Sequence, residues 1–207
     1  MWWHSNPRKK ARSPLRFSAL REQMKYTFNL QISDNKRERS EKLIIGAFEN
    51  ESGSHVALKL LAYLMFINQD PHIDEDAGWH FTPDLIARND AGEIKLWVDC
   101  GRVSMKKVDT IATKVRDNID FFVFRKTERE MDQFYLAIKD KIKHLQNVKC
   151  VSFDDGFVEG IGECLDRTND LEGYLGDDMV NLTIINSSGR HEAYSSIHRI
   201  PAVVTTG

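Results

Sequence analysis

The sequence predicts an α/β domain, a mixed central β-sheet flanked by helices with an additional β-hairpin near the C-terminus. Three observations carry this. Pro83–Gly101 reads as a strand–turn–strand unit, with Asn89-Asp90-Ala91-Gly92 as the turn and strict alternation after it. Ser104 and Thr127 each open an amphipathic helical stretch. Between those helices, Asp120–Arg125 contains the unbroken apolar run Phe121-Phe122-Val123-Phe124, the pattern of a strand buried on both faces.

Composition is that of a globular chain with a core, 41% hydrophobic and 29% charged over 207 residues. The net charge is −2, which excludes an overall basic nucleic-acid binder. No apolar run approaches membrane-spanning length, so no membrane partner is expected. Cys100, Cys150 and Cys164 are odd in number and form no CxxC, which fits a reducing cytoplasm and offers no zinc site. Residues 1–23 hold six basic side chains against the single acid Glu22, a charge of +5 that leaves −7 on residues 24–207. This stretch reads as a basic, disordered extension, with Met24 as a candidate natural start. Residues 24–197 form the domain, and 198–207 are expected to be a loose tail.

In order, Lys25–Ile32 alternates apolar and polar residues, Ser33-Asp34-Asn35 supplies a turn, and Leu43–Phe48 returns as a second strand. The charged run Lys36–Lys42 between them reads as a solvated connection. A helix follows, with Asn50 or Ser52 as its cap and Val56, Leu60, Leu61, Leu64 and Ile67 as its apolar stripe. Glu51 lies in or just before its first turn, where a carboxylate favours the helix dipole. His55 reads as a surface residue. The loop Asp70–Thr82, with His72, Asp74, Glu75, Asp76 and His80, is only loosely like a metal cluster and reads as solvated.

In the central hairpin, Ile94, Leu96 and Val98 share one face and Glu93, Lys95, Trp97 and Asp99 the other. A four-residue loop pairs Arg88 with Glu93 and Asp84 with Trp97. Asp84 then lies on the face of Asp99, one diagonal step away, with Cβ atoms roughly 7–8 Å apart. Two carboxylates so placed can share a divalent cation, although a half-solvated hairpin alone gives the same pattern. The next helix carries Met105, Val108, Ile111, Ala112, Val115 and Ile119 as its stripe, with Lys106, Lys107, Lys114 and Arg116 beside it. Thr127-Glu128-Arg129-Glu130 is a capping box for a third helix, and Val148–Phe153 is the strand after it. A short helix around Val158–Leu165, a hairpin Leu171–Leu175 with Met179–Ile185, and a turn at Ser187-Ser188-Gly189 complete the chain.

An acid at a helix start, a hairpin running from Pro-Asp to Asp, and a basic helix after it resemble the PD-(D/E)XK nuclease superfamily, the restriction-endonuclease-like fold. The closer resemblance is to the YaeQ family of bacterial proteins, usually placed in that superfamily. It covers roughly Lys25 to Ile197. The residues that carry it are Leu58-Lys59-Leu60-Leu61-Ala62-Tyr63, Pro83-Asp84, Arg88-Asn89-Asp90, Leu96-Trp97-Val98-Asp99-Cys100-Gly101 and Asp166-Arg167-Thr168.

The resemblance implies a metal-dependent phosphodiesterase, a hydrolase acting on DNA or RNA. Glu51 takes the helical-acid position, Asp84 the first motif acid and Asp99 the second, with Mg²⁺ or Mn²⁺ held by Asp84 and Asp99 and by Glu51 directly or at one remove. The cation would neutralise charge developing on phosphorus and make a water nucleophilic at neutral pH. The motif lysine is missing, because its position is Gly101. Lys106 or Lys107 on the following helix is the candidate substitute, with Lys106 slightly favoured as nearer the strand end. Two other classes stay open, a pseudo-nuclease that binds nucleic acid or protein without chemistry and an adaptor using its sheet edge or basic tail.

Overall fold

The computed structural model describes residues 24–34, 37–48, 50–115 and 118–200. The basic N-terminal stretch and Pro201–Gly207 lie outside the described residues. In chain order the elements are β1 (Met24–Asp34), β2 (Glu38–Ala47), α1 (Gly53–Phe66), β3 (His72–Ile73), β4 (Leu85–Arg88), β5 (Ile94–Cys100), α2 (Met105–Lys114), β6 (Asp120–Thr127), α3 (Glu128–Ile138), β7 (Val148–Phe153), α4 (Phe157–Cys164), β8 (Thr168–Leu175), β9 (Met179–Asn186) and β10 (Gly189–Ile200). Among the described residues no helix is long and apolar enough to cross a membrane.

All ten strands form one mixed sheet in the order β2-β1-β8-β9-β10-β7-β6-β5-β4-β3. Laid flat, ten strands at about 4.8 Å would span roughly 43 Å. Yet α1 touches β2 at one edge and β3 at the other. The sheet therefore curls around α1 toward closure. That explains why α1 is buried on nearly every side, from Val56 through Ala62, rather than along one stripe. A second apolar layer covers the outer face of β4–β7, where Trp97, Phe121 and Val123 meet Val108 and Ile111 of α2 and Met131 and Phe134 of α3. Asp120–Arg125 is the expected buried strand. It lies between β5 and β7, parallel to both, with Phe121, Val123 and Phe124 fully covered.

The structure corrects the sequence reading at four places. The described part of the charged run is mostly strand, because β2 pairs with β1 from Ser33↔Glu38 onward. Its inward polar side chains find partners, Arg39 donating to the Ile67 carbonyl and Glu41 accepting from Tyr63 Oη. The C-terminal hairpin is not an appendage. β8 pairs in parallel with β1, and β10 joins β9 to β7, so both halves of the sheet run through it. His198–Ile200 are consequently strand paired with Cys150–Ser152, not tail. In the central hairpin Arg88 pairs with Ile94 rather than Glu93 and a β-bulge at Lys95 adds a second step, so the register moves by two, setting Leu85 opposite Val98 and Ile86 opposite Trp97. The face expected to be polar is covered, with Trp97 and Asp99 both buried beneath α2 and the loop before β4.

Candidate active site

The site lies where β5 ends and α1 begins. Ser52 caps α1, its hydroxyl accepting from the His55 amide at 3.3 Å. Glu51, just before the cap, is fixed by its own backbone. Its N–H donates to the Phe48 carbonyl (2.8 Å), and its Oε2 accepts from the Phe48 amide (3.1 Å). From Glu51, steps of four residues reach His55 and Lys59, which therefore line up on one helix face. His55 Nε2 lies 3.3 Å from both Glu51 Oε1 and Asp84 Oδ1.

Lys59 is 2% exposed and central to the cluster. Its ammonium lies 2.8 Å from Glu51 Oε1, 2.9 Å from both Asp74 oxygens and 3.9 Å from Asp84 Oδ1. Burial pushes its pKa down, but the bonds to Glu51 and Asp74 outweigh burial and leave it above the usual lysine value. Asp74 reaches this point from a residue at φ 54°, the left-handed region. Burial holds the Asp74 carboxyl above its ordinary range against the pull of Lys59.

Asp84 precedes β4, and the register carried one step beyond Leu85↔Val98 sets it level with Asp99. Burial would raise its pKa, but His55 and the Cys100 amide, which donates to Oδ2 at 2.7 Å, bring it below the ordinary carboxylate value. Asp99 is 1% exposed. Burial pushes its carboxyl up to about 6, against the nearby Lys107 ammonium, which lies 2.6 Å from Oδ1 and also donates to the Thr82 carbonyl. Asp99 Oδ2 and the indole Nε1 of Trp97 each lack a well-formed hydrogen bond.

Glu51 and Asp84 thus meet at His55 and Lys59, while Asp99 lies level with Asp84 across the strand pair, and Lys107, not Lys106, reaches Asp99. Ser104 caps α2, so Lys106 and Lys107 fall in its first turn and point about 100° apart. Lys107 leans over the Asp99 strand and Lys106 is exposed. Sequence reasoning missed His55, Lys59 and Asp74. The Glu51–His55–Lys59 spacing was a usable signal for the first two, and Asp74 had none.

Beside the cluster lies a cleft of about 620 Å³, lined by Glu51, Ser54, His55, Gly101, Arg102 and Lys126; of the cluster's acids only Glu51 lines it. Gly101 forms its floor at φ +68°, where a Cβ would come within 3.2 Å of His55 Nδ1. Among the described residues, no three His, Cys, Asp or Glu side chains are arranged to hold one metal ion.

A family model described as YaeQ protein matches residues 19–192. A Salmonella typhi relative carrying the description uncharacterized protein YaeQ is 21% identical over 159 residues, 77% of this chain and 86% of that protein. The crystal structure of YaeQ protein from Xanthomonas axonopodis pv. citri aligns with TM-score 0.69 at 18% identity, over 86% of this chain and 99% of that one. That of YaeQ protein from Pseudomonas syringae aligns with TM-score 0.66 at 15% identity, over 84% and 94%. At these identities the likeness to the solved structures speaks for the shared fold.

Proposed function

The chain belongs to the YaeQ family, and from that premise we propose that it is a divalent-cation-dependent phosphodiester hydrolase acting on nucleic acid, with a restriction-endonuclease-like site. The observation that carries the reading is that Glu51 and Asp84 meet at Lys59 while Asp99, level with Asp84, pairs with Lys107, next to an open cleft that Glu51 lines. Mg²⁺ or Mn²⁺ would be held by Asp84 and Asp99. Mg²⁺ needs no protein cage, since one or two carboxylates with waters and substrate phosphates suffice. Asp99 Oδ2, buried without a well-formed hydrogen bond, suits such an ion. When bound, the ion supplies a nucleophilic water and neutralises charge developing on phosphorus. Lys107 orients the Asp99 carboxylate through Oδ1. Lys59 ties Glu51 to Asp74 and lies near Asp84, fixing the geometry from the helix side. Either lysine could supply the positive charge that the strand lacks at Gly101.

One observation favours the second reading, a binding module without chemistry. The acids are already balanced internally, Lys59 among three of them and Lys107 on the fourth. A nuclease assay with Mg²⁺ and Mn²⁺ on single- and double-stranded DNA and RNA decides. The hydrolase reading expects cleavage that Asp84→Asn and Asp99→Asn abolish, and a loss on the order of 10²–10³ for Lys107→Ala. Calorimetry should show cation binding in the wild type and none in the two Asn variants. No cleavage with either metal, together with identical calorimetric traces in all three proteins, would replace the enzyme with the binding module.

A further inference from the structure

We propose that β2 is a docking edge for a second copy of this chain, the two β2 strands pairing antiparallel about a two-fold axis at Ser40. The proposal stands apart from the hydrolase reading, because it uses neither the acids of the site nor the cleft.

β2 is an end strand of the sheet. Its inner face rests on α1, and β1 takes one of its two edges. Among the described residues no backbone hydrogen bond reaches its other edge. An end strand of ten residues with one edge unpaired is a template for another strand. The opposite end of the sheet offers no such template, since β3 is two residues long. Main-chain bonds to an added strand supply affinity, and side chains select the partner.

Charge selects the partner here. Glu38, Ser40 and Lys42 are exposed, and Arg39 and Glu41 between them are half-buried. Arg39 uses one nitrogen on the Ile67 carbonyl, and Glu41 one oxygen on the Tyr63 hydroxyl. None of the four charged side chains forms an ion pair within the chain among the described residues. About Ser40 their signs are antisymmetric, Glu38 against Lys42 and Arg39 against Glu41. An antiparallel pair centred on Ser40 sets each of these opposite its counterpart, twice over by symmetry. Exposed residues then face exposed ones and half-buried face half-buried, as alternation along a strand requires. Sliding one strand by a single residue mismatches the faces and sets Glu38 against Glu41 or Arg39 against Lys42. Sliding by two sets Arg39 or Glu41 against its own copy. Opposite charges directly across a strand pair stabilise it and like charges oppose it, so this register is favoured over its neighbours.

A charged edge blocks pairing when like meets like. Here the two-fold axis turns each meeting into an attraction. The contact also lies away from the cleft. The charged half of β2 sits by the C-terminal end of α1, where Arg39 holds the Ile67 carbonyl, whereas Glu51 stands before the N-terminal end. A helix of 14 residues separates the two by about 21 Å.

Sedimentation velocity of the full chain over about 1–200 µM is the test. Wild type should pass from the 23.9 kDa species to one of twice that mass as concentration rises. Glu38→Lys and Lys42→Glu each bring like charges together at two places and should weaken the dimer about tenfold. An equimolar mixture of the two variants has opposite charges at every pair and should associate as tightly as wild type. The double variant Glu38→Lys with Lys42→Glu should do the same. Association in the mixture also shows that both single variants are folded. Raising NaCl to about 0.5 M should narrow the gap between wild type and the single variants, since exposed charges are screened. A wild type that stays monomeric throughout overturns the proposal. So does a dimer that the single variants leave unchanged, because its contact then lies elsewhere, and so does a mixture that associates no more tightly than its components.

Discussion

Burial holds the Asp99 proton until about pH 6, although Lys107 pulls the other way. An aspartate in the unfolded chain releases it near 3.9. Between those values the folded chain binds a proton that the unfolded chain has lost. This group's contribution to stability therefore falls as pH rises from about 4 to 6. Asp99→Asn removes that dependence, and Lys107 retains the Thr82 carbonyl. In EDTA the variant should gain stability relative to wild type on going from pH 4.5 to pH 7, by about 3 kcal/mol at most. Urea melts that show a constant difference across this range would refute the assignment. Lys59 presents the opposite case, a buried cation that acids keep charged. Lys59→Met strips the cation from Glu51, Asp74 and Asp84 and should cost about 3 kcal/mol at pH 7. Lowering the pH to 5 or adding millimolar Mg²⁺ should restore part of this, since a proton or an ion relieves the same repulsion. Denaturant melts showing no loss would mean that Lys59 does not neutralise the cluster. The acids were legible because each stands beside a local landmark, a helix cap for Glu51, Pro83 for Asp84 and a strand end for Asp99. Lys59 was hidden by its neighbours. Between Leu58 and Leu60 it reads as a helix surface lysine, and only the curl of the sheet around α1 puts it inside. Asp74 joins through a left-handed residue in a long loop, which no periodicity marks.

Between elements, the α1–α4 contact is the closest approach that glycine permits. A Cβ on Gly162 would meet Ser54 N at 2.5 Å and Gly53 C at 2.6 Å, backbone atoms that cannot swing aside. Gly160, on the same short helix, has open space around its own Cβ direction. Gly160→Ala should therefore stabilise the protein by up to about 1 kcal/mol through helix propensity. Gly162→Ala should destabilise it by about 1–3 kcal/mol or more and displace the Ser52–Ser54 end of the cleft. Thermal melts of the pair check this, and matching effects would mean that the helices separate freely. Elements with complete local signals were read correctly. The Ser104 and Thr127 caps set α2 and α3, and the unbroken run Phe121–Phe124 set β6. Strands with mostly polar outward positions were not. β2 begins Glu-Arg-Ser-Glu-Lys, and β10 reads Gly-Arg-His-Glu-Ala-Tyr-Ser-Ser-Ile-His-Arg-Ile, with few apolar residues to show a period. Both are strands because a distant neighbour pairs with them, and pairing across the sheet leaves no trace in a local window. The Lys95 bulge was hidden for the same reason, because turn residues alone do not report a two-against-one mismatch.

At the scale of the molecule, the sheet is one structure only because β10 changes partners along its length. Gly189–Ser196 pairs with β9, and Ile197–Ile200 pairs with β7. Without that change, the half built from β1, β2, β8 and β9 would meet the half built from β3 to β7 only through helices. Ile197 sits at the change, 6% exposed and inside the core that also holds Leu30, Leu58 and Phe124. Its amide donates to the Asp178 carbonyl, so the backbone is still tied to the β8–β9 side where the strand passes to β7. Ile197→Ala should cost 2–4 kcal/mol as a buried truncation. Its location sets a sharper expectation. If the curled sheet unfolds as a single unit, the loss should appear equally in hydrogen exchange of β1 amides such as Phe28 and of β6 amides such as Val123, which lie on opposite sides of the change. A sheet of two separable halves would instead lose protection in β8–β10 while β6 kept its wild-type rates. Native-state exchange on the variant separates the two. The result also bears on the site, because Lys59 and His55 project from α1, which both halves enclose, whereas Asp84 and Asp99 belong to one half alone. A cooperative sheet fixes the distance between these groups, and local opening of one half would release the acids from Lys59.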